Sequence, residues 1–228
     1  MRALAVVLVA LAGLLVVADR VAVVIAQGRV ADGIARQGQL PGAPDVEIAG
    51  FPFLSQVVAG NYDEVRISFD ADDLGRPGTR ADVTLRGVQV PLSSALTGSV
   101  QQVPVAAIDG TATLSYDLLS TEFGSGTTLT PDGDGLRIAT TVELLGRQVD
   151  LTASGLIELD DGDLVIDVRE ATGAGVDLPA GTVERLSEAL DLRYRLPDLP
   201  YGLELTGVAP TPDGVDVAVA ASETVIGT

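Results

Sequence analysis

Between Leu136 and Glu170 the chain reads LRIATTVELLGRQVDLTASGLIELDDGDLVIDVRE. Successive side chains of a strand point to opposite faces. In the first arm Leu136, Ile138, Thr140, Val142 and Leu144 share one face, and Arg137, Ala139, Thr141 and Glu143 share the other. The alternation continues through Gln148–Asp160 and Leu164–Glu170, with Asp160, Asp161, Gly162 and Asp163 as the turn between them. Asp-Gly turns favour tight hairpins, so the stretch predicts an antiparallel meander with one wet face. An arm about ten residues long spans roughly 33 Å at about 3.3 Å per residue, which makes the expected sheet elongated.

The same period extends outward in both directions. Downstream, Leu203 and Leu205, the turn Thr211–Gly214, and Val215, Val217 and Val219 predict a closing hairpin. Before it, Pro179–Leu190 reads as a helix with proline near its start and Val183, Leu186 and Leu190 on one stripe. Upstream, Val46 with Ile48, and Val65 with Ile67 and Phe69, mark strands, and DVTLRGVQV (Asp82–Val90) marks another with a bulge or bend at Gly87. VPVAAIDGTATLS leads from a further strand into a short helix near Tyr116–Phe123. No long linker or internal repeat divides this region, so residues 41–228 read as a single α+β domain.

The N-terminus follows a different rule. Met1-Arg2 precedes a run without charge from Ala3 to Ala18, the pattern of a secretory signal or a signal anchor. That run gives about 24 Å of helix, a little short of a ~30 Å hydrocarbon core. Small residues at Val16-Val17-Ala18 suit cleavage before Asp19, whereas helical spacing of Val23, Ala26, Val30 and Ile34 suits one helix continuing into the domain. The expected organisation is a signal peptide or anchor at 1–26, a helical extension at 27–40, and the domain from 41 onward. Export is the expected destination.

Composition removes whole classes of chemistry. The 228 residues contain no Cys and no His, and all 14 basic residues are Arg. Thiolate and imidazole catalysis, Cys/His metal sites and lysine Schiff bases are therefore excluded. A net charge of -18 repels a phosphate backbone, so nucleic acid is not an expected partner. Membrane contact must come from apolar burial or an anchor rather than from basic residues. The acidic runs at Asp70–Asp73, Pro131–Gly135 and Asp160–Asp163 lack the twelve-residue calcium loop and read as turns. No catalytic residue, metal or cofactor is expected.

Three of the four phenylalanines, Phe51, Phe53 and Phe69, lie in or directly after GFPFLSQVVAGNYDEVRIS (Gly50–Ser68). Pro52 stops a strand, Ser55–Ala59 suits a short helix, and Gly60-Asn61 suits a left-handed cap. This segment, with LPDLPYGLELTGV (Leu196–Val208), DGVDVAV and the ADRVA that ends the apolar helix, resembles the LmeA-like phospholipid-binding family of actinobacterial cell envelopes. The resemblance implies an exported, membrane-associated lipid-binding protein, linked in one relative to maturation of lipomannan-type glycolipids. It also implies an architecture like half of a tubular lipid-binding domain, with a long curved sheet wrapped around one or two helices.

On this reading an apolar groove between sheet and helix takes the acyl chains. Its expected lining is Phe51, Phe53, Leu54, Val57, Val58, Phe69, Leu186 and Leu190. Arg66, Arg193 and Arg195 are the expected phosphate partners, because guanidinium grips phosphate bidentately. The same alternation would also build a closed, dry core. Two other functions fit the sequence: a non-catalytic envelope scaffold that binds a biosynthetic membrane enzyme, and a carboxylate-dependent glycan hydrolase.

Overall fold

The computed structural model describes residues 2–97, 102–122, 126–144, 147–160, 162–173, 176–177, 181, 193–195, 199 and 201–227. The chain opens with one long helix, α1 (Arg2–Gly38), followed by β1 (Asp45–Ile48), α2 (Phe53–Ala59), β2 (Asn61–Phe69), α3 (Ala71–Leu74), β3 (Thr79–Gln89), α4 (Leu92–Thr97) and β4 (Gln102–Leu114). Then come α5 (Tyr116–Glu122), β5 (Thr128–Asp132), β6 (Gly135–Leu144), β7 (Arg147–Asp160), β8 (Asp163–Gly173), β9 (Val176–Asp177), β10 (Arg193–Arg195), β11 (Glu204–Pro210) and β12 (Val215–Gly227). The fold is α+β and its strand pairs are antiparallel. The expected helix at Pro179–Leu190 lies outside the described residues apart from Gly181, which is helical.

Two sheets share the strands. The first has the order β1-β2-β3-β4-β12-β11, and the second runs β10-β8-β7-β6-β5 with β9 also on β8. The chain leaves the first sheet after Leu114, builds the second, and returns when β12 pairs along β4 from Val215↔Leu114 to Gly227↔Gln102. The meander read from Leu136–Glu170 is β6, β7 and β8. Leu136, Ile138, Ile157, Leu164 and Ile166 are buried on its inner face, and Arg137, Glu158 and Asp167 are exposed on the outer.

Two apolar clusters follow from this layout. In one, Leu119 of α5 sits fully buried among Leu129, Leu136, Ile138, Leu164 and Ile166 of the second sheet and Leu114, Val215 and Val217 of the first. In the other, Val23 and Ala31 of α1 and Phe53 of α2 pack on Val46, Ile48, Val65, Ile67, Leu85, Val88, Val105 and Ile108. Because β4 and β12 contribute residues to both clusters, the first sheet packs against α1 and α2 at one end and against the second sheet at the other. Each of those strands has 13 residues and extends about 43 Å.

The first sheet is bent along a line that crosses its strands. Gly87 takes φ 63° and Glu223 takes φ 50°, both left-handed. The pairings Asp63–Gly87 and Ala106–Glu223 are missing from ladders that keep their register on both sides, and the β3–β4 ladder ends at Arg86↔Ala107, just before Gly87. On crossing this line the inward-facing residues change parity: Val65 gives way to Tyr62, Leu85 to Val88, and Ile108 to Val105. A regular strand would have turned those side chains to solvent, so the kink keeps one continuous apolar face on a curved sheet. Gly87 allows the left-handed step that starts it, as the sequence led us to expect of that glycine.

α1 packs on that curved face by its C-terminal half. Asp19, Val23 and Ala31 are buried, and Ala22, Ala26 and Ile34 are half-buried. Val30, expected on the inner stripe, is 39% exposed. The small Ala31 takes the close-contact position on the sheet instead. Residues 2–18 are all exposed, and the helix passes the expected 26/27 boundary without a break.

Candidate functional site

The corner between β1 and β2 places the aromatic residues. Gly50 turns the chain with φ 98°, and the peptide bond Phe51-Pro52 is cis. α2 begins at Phe53 and ends on Gly60, whose left-handed backbone (φ 68°, ψ 21°) directs its N–H to the carbonyls of Gln56 and Val57. Pro52 at the N-cap contributes no side-chain bond. The acceptor comes from a different helix: Asp19 of α1 receives the Leu54 N–H at 2.8 Å on Oδ1 and the Arg20 guanidinium at 2.5 Å on Oδ2. A carboxylate at a helix N-terminus satisfies a free donor and meets the positive end of the helix dipole.

Gln56 holds the inner side of the corner. It is 8% exposed, donates Nε2–H to the Ala49 carbonyl at 3.0 Å, and accepts the Asp63 N–H on Oε1 at 3.0 Å. Asp63 lies on the kink line, so this amide occupies a donor left out of the ladder. Phe53 is buried and packs against the Tyr62 ring at 6.1 Å with a 40° tilt. Burial pushes the Tyr62 phenol above its ordinary range.

These contacts divide the expected tail-binding residues. Phe53 and Val57 face the apolar layer, and Phe69 joins the same face at the far end of β2. That end is about 23 Å beyond Tyr62 along the strand. Phe51, Leu54 and Val58 face outward, at 63%, 38% and 74% exposure. Leu186 and Leu190 lie outside the described residues. At the margin of the layer Val83, Val90, Val103, Leu203 and Ile226 are half-buried, a rim the sequence reading did not single out.

The arginines occupy other surfaces. Arg66 alternates with Val65 and Ile67 and projects from the outer face. It pairs there with Glu47 at 3.1 Å and with Glu64, within a cross-strand ladder that continues through Arg86 to Asp109. The hydrogen bond that Arg66 donates to Glu47 raises the guanidinium pKa further. Arg193 and Arg195 do share one face, on β10 of the second sheet. Arg193 donates to Asp160 at 2.7 Å and Asp163 at 3.2 Å, and Arg195 lies 4.0 Å from Asp163 with 86% of its side chain exposed. The structure therefore separates Arg66 from the other two by sheet as well as by face.

A polar cavity of about 340 Å³ lies where β2 ends, lined by Asp70, Asp72, Thr79, Arg80, Thr113 and Asp213 among others. It is mixed in charge and unlike an acyl-chain site. Asp70 and Asp73 form the capping box of α3, and Asp160 and Asp163 bind Arg193. Among the described residues no three acidic side chains are placed to hold a metal ion. Asp19 and Gln56 were not legible as site residues. The only signal for Asp19 was its position at the end of the apolar run, since its partner is 35 residues away.

A curved sheet presents one continuous apolar face to α1, and the first half of α1 is exposed. The chain belongs to the LmeA-like phospholipid-binding family, whose model matches residues 17–220. The match runs from the docked half of α1 through the second sheet to the first residues of β12, and the family is described by phospholipid binding. A comparison with curated proteins finds no match.

Proposed function

We propose that this protein is an exported phospholipid-binding protein, tethered by α1, that holds acyl chains against the apolar face of the first sheet. The observation that carries the reading is that face: the kink keeps it continuous, α1 and α2 cover part of it, and half-buried Val57, Val83, Val103, Leu203 and Ile226 leave its rim accessible. Each buried methylene contributes about 0.8 kcal/mol, so ten offer roughly 8 kcal/mol before ordering costs. A net charge of -18 then matters little, because tail burial supplies the affinity.

In this reading Phe53, Val57 and Phe69 line the tail site, and Leu186 and Leu190 complete it from the segment between β9 and β10. Arg193 and Arg195 are the proposed phosphate partners, on β10 of the second sheet rather than beside the tail-lining residues of the first, and Arg195 keeps most of its surface free for that contact. The carboxylates already bound to Arg66 give it a structural part on the outer face. The organisation is a membrane segment within 1–26, a bridging helix at 27–40 and a lipid-binding domain at 41–228. Work in the cell envelope, including support of lipomannan-type glycolipid maturation by a non-catalytic route, is the role the family likeness favours.

Native mass spectrometry of the full chain, after detergent exchange that strips loosely held lipid, tests this directly. We expect phospholipid retained at one copy per folded chain. Failure to retain any phospholipid from a total-lipid mixture, at every concentration tried, would overturn the reading.

A further inference from the structure

We propose that Phe51, Leu54 and Val58 form a collar that inserts into the headgroup–acyl boundary of the bilayer that α1 enters. The inference rests on the membrane tether proposed above and adds a second contact, made by the domain itself.

Geometry fixes the level of this surface. The Asp19 carboxylate accepts the Leu54 N–H at 2.8 Å, so α2 begins beside the residue that ends the uncharged run Ala3–Ala18. The free apolar surface of α1 does not stop there, because Val21, Val24 and Ile25 are 54%, 66% and 57% exposed. From Leu4 to Ile25 the helix rises about 32 Å, which matches a ~30 Å hydrocarbon core, whereas the stretch that ends at Ala18 falls short. A bilayer that covers Leu4 through Ile25 therefore reaches past the start of α2. At that depth Phe51, just before α2, and Leu54 and Val58 of α2 face outward, while Phe53 and Gln56 face inward.

The charges at this level are arranged for such a position. Asp19 is 2% exposed, and both of its oxygens are engaged. Arg20 stacks its guanidinium 5.1 Å from the Phe51 ring centroid and keeps its side chain 48% exposed. An arginine with an aromatic neighbour suits the interface, where the stem lies in hydrocarbon and the head reaches water or phosphate. A protein partner or a second copy would also cover three exposed apolar side chains, but the continuity with α1 selects lipid.

The absence of cysteine permits single-site labelling of the full chain. An environment-sensitive fluorophore is attached in turn to Val58→Cys, to Val9→Cys in α1 and to Asp134→Cys in the β5–β6 turn. Each protein is reconstituted in phosphatidylcholine/phosphatidylglycerol vesicles and exposed to doxyl-labelled lipid or to aqueous iodide. We expect doxyl lipid to quench the labels at 9 and 58 and to spare the label at 134, and iodide quenching at 58 to fall to a small fraction of its value without vesicles. Indifference of the label at 58 to doxyl lipid, with the label at 9 quenched, would overturn the collar and leave the tether standing. Loss of quenching at both positions would overturn the two together. Shielding of position 58 from both quenchers would assign the patch to a protein contact and overturn the collar.

Discussion

Gln56 carries more of the corner than its residue type suggests. One amide connects the end of β1, through the Ala49 carbonyl, to a kinked point of β2, through the Asp63 N–H. It also fills the space beside Gly50, where an added Cβ would stand 2.5 Å from Nε2. Gln56→Leu keeps the volume but leaves both backbone groups without this partner, and a buried polar group left unmet costs about 1–3 kcal/mol. The urea midpoint of the variant should fall accordingly with an unchanged slope. A midpoint equal to that of the parent protein would mean that water or a neighbour replaces the amide. Position 56 reads from sequence as one of two polar residues, with Ser55, in a short apolar helix, so nothing local announced this role.

At the scale of elements, the bend across the first sheet governs what the apolar face can do. Regular alternation would divide Leu85 and Val88 between opposite faces, as it would Val105 and Ile108. The left-handed step at Gly87 keeps the first pair inside, and the matching break at Ala106 of β4 keeps the second. Gly87→Val should cost about 1–2 kcal/mol for the backbone conformation alone. The contact of its Cβ with that of Ala106, 2.8 Å away, adds to this. Gly28→Ala, on a part of α1 where an added Cβ meets nothing, is the matched control and should leave the melting temperature unchanged or slightly raised. Equal behaviour of the two variants in thermal melts would remove the glycine from the account of curvature.

For the whole molecule the telling feature is an asymmetry along α1. Its first half is exposed over residues 2–18, and its second half is built into the apolar cluster of the first sheet. A chain lacking residues 2–18 should therefore melt close to the full-length protein and lose stable cofractionation with phospholipid vesicles. A large drop in melting temperature would instead show that the apolar run supports the fold. Retained cofractionation would place the tether elsewhere. The reading is consistent with a mean hydropathy of 2.4 in the most apolar window of a helix only 11% buried there, since a soluble core helix of that composition would be covered on most sides.

Much of the architecture was legible because local patterns survive folding. Period-two alternation marked β6 to β8 and the β11–β12 hairpin, Gly60 marked the end of α2, and Gly87 marked the bend. Those signals depend on backbone geometry and on which side of a strand meets water, and each can be read within a few residues. The sequence also determined the family, through motifs spread along the chain. What only the tertiary structure decided were pairings between distant segments: the long β4–β12 ladder that closes the first sheet around the inserted second one, the Asp19–Leu54 bond that sets α2 against α1, and the division of the ring-rich segment into an inward Phe53 and outward Phe51, Leu54 and Val58. Such contacts follow from the packing of whole layers, so no short stretch of residues contains the distances that specify them.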